Sequence, residues 1–142
     1  MSRTYDNSIK LMVNDLQTIA VEILEFRPHL PAPAAELHAL VPELYAVIPC
    51  LQDLQRELHH PPNFEDVLYY AVVVRSILQA ITQTLKDLDY HLNDRNRPRR
   101  ESRRLIWEEL NEFFLREDDN TLLERMRYFR MFLQEFITIL AG

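Results

Sequence analysis

The sequence predicts an all-α protein, an antiparallel bundle of about four to five helices that makes one domain of residues 1–142. Three observations carry that expectation. Apolar residues recur three and four apart through long stretches, the spacing of one helix face. Prolines punctuate those stretches: Pro28, Pro31 and Pro33 form one break, Pro61 and Pro62 a second, and Pro98 a third. The one glycine is Gly142, so tight hairpin turns, which rely on Asn-Gly, Asp-Gly or Gly-X, are not to be expected.

Each segment follows from its own pattern. The first, about residues 4–27, sets Ile9, Met12, Leu16, Ile19 and Ile23 on one stripe, widened by Val13, Ala20 and Leu24. The second, about 34–58, alternates by three and four through Leu37, Leu40, Leu44, Val47, Leu51, Leu54 and Leu58, an a/d seam. Pro42 and Pro49 conflict with a continuous helix there, because an interior proline costs about 3 kcal/mol and frees a carbonyl one turn back. Both fall at f positions, directly away from the seam. A kinked or curved helix is therefore expected, with a break at Val41–Pro42 as the alternative. The third segment, about 64–92, carries Val67, Tyr70, Val74, Ile77, Ile81, Leu85, Leu88 and Leu92, with Asn63 as N-cap and Asp66 reaching back to it. The fourth, about 98–116, has Pro98 in its first turn and holds Leu105, Ile106, Trp107, Leu110, Phe113 and Phe114. Trp107 is expected to be a core anchor with its indole N–H hydrogen-bonded. The fifth, about 120–140, opens on Thr121 and Glu124 at capping-box spacing.

Charge narrows the function. Sixteen Lys and Arg against twenty-two Asp and Glu give a net charge of −6. Such a chain is a poor general nucleic-acid binder, since phosphate neutralisation supplies most non-specific affinity. No apolar run approaches the roughly 20 residues that span a bilayer. Residues 1–5 are polar, unlike a signal peptide, and the lone Cys50 has no internal partner for a disulfide. An intracellular, cytoplasmic protein is expected.

Catalytic and metal chemistry find little support. With no internal glycine, phosphate loops and dinucleotide fingerprints are excluded. His59 and His60 are adjacent and cannot chelate as an i, i+4 pair would; they suit a solvated loop beside Pro61 and Pro62. Cys50 flanks the seam and suits a small apolar filler. No catalytic residue, cofactor or metal ligand is assigned. The C-terminal aromatics sit at core spacing. Tyr128 and Phe132, one turn apart and off the main stripe, are the best candidates to meet a partner. The one unusual polar feature is the run Arg95, Arg97, Arg99, Arg100, Arg103 and Arg104, which with Glu101 gives residues 95–104 a charge of +5 and leaves −11 for the rest. Arginine forks suit carboxylates or phosphates, and a helix opening on arginines runs against its own macrodipole. The run is a candidate contact surface for an acidic partner; the blander reading is a solvated loop.

Two stretches carry a family resemblance. Residues 26–58, FRPHLPAPAAELHALVPELYAVIPCLQDLQREL, lead through a proline-containing loop into a Leu-rich helix. Residues 104–140 combine Arg104, Leu105 and Trp107 with Arg125 and the ending LQEFITIL. Together they resemble a fungal N-terminal helical domain found ahead of STAND-type nucleotide-binding signalling regions, and sometimes alone, akin to the helical modules of fungal incompatibility proteins. The resemblance implies a non-enzymatic signalling or assembly module from an ascomycete. Pore-forming relatives begin with a hydrophobic helix, whereas residues 1–8 here are polar, so membrane killing is not implied. The sequence thus points to a protein–protein interaction or self-association module, with an alternative as a binder of anionic ligands (nucleic acid or acidic lipid head groups) through residues 95–104.

Overall fold

A computed structural model describes residues 2–26, 35–59, 67–93, 103–118 and 120–141. Among them it contains five helices and no strand: α1 Ser2–Leu24, α2 Ala35–Leu58, α3 Val67–Leu92, α4 Arg103–Asp118 and α5 Leu122–Ala141. The protein is an all-α bundle, as the periodicity requires. The expected starts near 64 and 98, and the capping roles of Asn63, Asp66 and Pro98, fall outside the described residues.

Side-chain pairs fix how the helices run. Asp6, early in α1, meets Gln55 and His59 at the far end of α2, so α1 and α2 are antiparallel. Asn93, just past α3, donates to Glu22 late in α1 at 3.2 Å, which makes α1 and α3 parallel neighbours. Arg125 reaches Thr84, while Phe136 packs on Tyr70, so α5 descends antiparallel to α3. Arg127 and Arg130 converge on Glu43 and, further along both helices, Gln134 meets Cys50, setting α5 beside α2 in the same direction. The shorter α4 lies across the end where α1 and α3 finish, with Trp107 against Phe26 and Phe113 against His91.

α2 is the centre of the packing. Leu44, Val47, Leu51 and Leu54 are all 0% exposed, in the register of the seam. Ile48 and Cys50 are buried as well. That wider face reflects neighbours on two sides, α1 on one flank and α5 on the other. The helix passes through Pro42 and Pro49 without a break, and both rings are exposed at f positions, so the freed carbonyls lie on the outer side of the helix. The a-position Leu37 has no described side chain, and Leu58 is half-buried.

The other helices contribute one stripe each to a continuous core. In α3 it runs through Val74, Ile77, Ile81, Leu85 and Leu88, and in α5 through Leu122, Met126, Phe129, Leu133 and Phe136. The start of α5 is capped as its sequence dictates: the Glu124 N–H donates to Thr121 Oγ1 at 3.1 Å, and the hydroxyl lies 3.2 Å from Glu124 Oε1. Trp107 is buried, tilted against Phe26 with ring centroids 5.9 Å apart. Among the described residues no hydrogen bond from its indole N–H, which the sequence leads one to expect, is found. Leu105, two residues earlier, is exposed.

Candidate docking face between α3 and α5

α5 carries a ladder of rings. Tyr128 stacks near-parallel on Phe132 at 6.2 Å between centroids, and Phe132 stacks on Phe136 at 6.0 Å. Phe136 then meets Tyr70 of α3 at 5.7 Å, and Tyr70 meets Tyr69 edge-on. The ladder follows from spacing: 128, 132 and 136 are one turn apart, so their rings lie above one another on one helix face. It begins in solvent, with Tyr128 61% exposed, passes through half-buried Phe132 and buried Phe136, and returns to solvent at Tyr69. α3 and α5 approach each other less closely than α2 and α5 do.

The separation leaves a groove. Between Ala80 and Thr84 on one wall and Tyr128 and Phe129 on the other it encloses about 520 Å³, with Asp87 and Glu117 toward one end. Small, exposed Ser76 and Ala80 keep the α3 wall low, while Val72 and Tyr69 stand exposed further along it. On the α5 wall Met131 and Ile139 are exposed beside the ladder. Arg125 also lines the groove, with its guanidinium carbon 4.6 Å from the centroid of the Phe114 ring, and donates to Thr84 Oγ1 at 3.4 Å. Thr84 itself is buried and donates to the Ala80 carbonyl at 2.9 Å.

Of the residues singled out from sequence, Tyr128 and Phe132 are brought together and stack on one another. Arg95, Arg97, Arg99 and Arg100 lie outside the described residues, as does the side chain of Arg103. Arg104 is exposed and forms an i, i+4 pair with Glu108 at 3.1 Å, a contact in high dielectric worth little. Tyr128 and Phe132 lie on the α3/α5 face, Phe132 packed partly into the core.

Several polar contacts were invisible to spacing. His59 is not merely solvated: its Nε2 lies 3.0 Å from Asp6 Oδ1, which also accepts from Gln55 at 3.1 Å. The Gln55 hydrogen bond, aided by His59 and Lys10, lowers the Asp6 carboxyl below its ordinary value. Glu43 is gripped by Arg130 at 2.7 Å and by Arg127 at 3.4 Å, and the carboxylate raises the Arg130 value further. Burial raises the Cys50 thiol, which makes it less reactive rather than more. Among the described residues no group of three or more His, Cys, Asp or Glu is placed to hold a metal ion, and no helix is long and apolar enough to cross a membrane. Comparison with protein-family models, with curated proteins and with solved structures finds no match to this chain.

Proposed function

We propose that this chain is a non-enzymatic docking module that binds a helical protein partner or a second copy of itself. The observation that carries this is the α3/α5 face: Tyr69, Val72, Tyr128, Met131 and Ile139 of these two helices are all more than half exposed, and Tyr128 with Phe129 forms one wall of the groove between them. Contiguous apolar surface of this kind marks interaction sites, and an amphipathic helix laid in a groove is a recurring way to bury it. The sequence resemblance to fungal helical modules ahead of STAND-type regions supports a signalling or assembly setting. The arginine run of residues 95–104 is a second contact surface on this proposal, suited to carboxylates, and its supporting observation is charge alone.

The test pairs light scattering across concentration with selection from a displayed library of amphipathic helices. Self-association or a selected helix is expected, in either case weakened by Tyr128→Ser with Met131→Ser while helical content is unchanged. A chain that stays monomeric and selects no helix is not a docking module.

A further inference from the structure

Apart from Arg125, which lines the groove where it lies over Phe114, the stripes that border the groove carry negative charge. On α5 the register 124, 128, 131, 132, 135, 139 places Glu124 before Tyr128 and Glu135 after Phe132. On the other side Asp87 and Glu117 stand at the groove's end. Among the described residues neither stripe holds any other lysine or arginine. This is not for want of cations, because α5 has three arginines. Arg127 and Arg130 turn to Glu43 on α2, and Arg125 lies over Phe114. Arg75 and Lys86 of α3 line a separate hollow on the α1 side of that helix.

From this we infer that the α3/α5 groove takes a cationic amphipathic helix, its apolar side chains seated against Tyr128, Phe132 and the low wall at Ser76 and Ala80, and its Lys or Arg residues paired with Glu117, Glu124 and Glu135. The inference rests on the docking reading above and names its partner class. Three alternatives fit the charge worse. A two-fold dimer through this face would oppose like carboxylates, since an isologous contact sets the same patch on itself. Acidic lipid surfaces and nucleic acid would meet a groove in which carboxylates outnumber its one cation, Arg125. An acidic helix would suffer the same repulsion.

The experiment uses two synthetic helices with the same leucine face, one with lysine and arginine on its polar face and the other with glutamate. Titration calorimetry with the full chain is expected to show the cationic helix binding at least about tenfold more tightly, with an affinity that falls as salt rises. Glu117→Lys with Glu135→Lys should weaken it by about tenfold or more. Tyr128→Ser, an exposed truncation that leaves the core untouched, should weaken it independently. Asp15→Lys with Asp89→Lys makes the same change in net charge on the α1/α3 flank. If that control weakens binding as much as the face variants do, the helix is responding to the net charge of −6 and the site is wrong. If the acidic helix binds instead and Tyr128→Ser weakens it, the docking module stands and its partner class is overturned. If neither helix binds, this inference falls, and the docking reading is then judged by light scattering and the helix library.

Discussion

At Asp6 a single carboxylate ties the beginning of α1 to the end of α2. It accepts from Gln55 and lies beside His59, with Lys10 one turn further along its own helix. Its value in the folded protein is lowered below 3.8, so the folded state favours the ionised form. The linkage sign follows: the contribution is complete above the ordinary carboxylate range and is lost as pH falls through the lowered folded value. Asp6→Asn should therefore be less stable than the parent at neutral pH, and the gap should close as chemical denaturation is repeated at successively more acid pH. A gap that stays constant down to the acid limit would show that the ionised carboxylate contributes nothing. None of this was legible in the sequence, where His59 reads as a loop residue beside prolines. Forty-nine and fifty-three residues separate Asp6 from its two partners, and helical spacing cannot reveal a contact made across two elements. Thr84 was missed for a related reason: a threonine within an apolar stripe gives no sign that Arg125 will reach it from α5.

The second helix shows what periodicity reveals and what it leaves out. Its a/d pattern located Leu44 and Leu51, and both are fully buried. Leu44→Ala or Leu51→Ala is expected to cost about 2–5 kcal/mol in denaturant unfolding, the range for a large-to-small change in a tight core. The heptad description predicted too narrow a face, since Ile48 is buried too, whereas Cys50 is buried as a filler at the flank of the seam should be. A seam pattern describes one neighbour, and α2 has two. The prolines provide a separate test. Both occupy exposed positions inside a continuous helix, so replacing them removes no core contact. Each substitution to alanine restores a backbone hydrogen bond and helix propensity, at the expense of a more flexible unfolded chain. Pro49→Ala, in the helix interior, should raise stability by about 1–2 kcal/mol on that balance. A loss instead would mean that the core depends on a bend at the proline.

Across the whole molecule the core is continuous but unevenly distributed. The helix order and the buried stripes could be read from apolar spacing, yet the arrangement could not. That α1 and α3 lie parallel, and that α5 sits beside α2, depends on cross-helix pairs such as Asn93 with Glu22 and Glu43 with Arg130. The aromatic face arises the same way, since Tyr128 and Phe132 read as surplus rings until Tyr70 of α3 completes their ladder. Burial also ranks the helices. α2 is packed between two long neighbours, while α4 anchors itself mainly through Trp107, Leu110 and Phe114 and leaves Leu105 and Leu115 in solvent. Regions with fewer buried apolar contacts open at lower free energy than the centre of a fold. Native-state hydrogen exchange should accordingly show α2 amides near residues 44–54 exchanging only through global unfolding, and α4 amides exchanging through a sub-global opening of lower free energy and weaker denaturant dependence. Leu110→Ala should lower the α4 opening energy more than it lowers protection in α2. Equal protection in α2 and α4, moved together by that substitution, would mean that α4 folds as part of one cooperative unit with the four long helices.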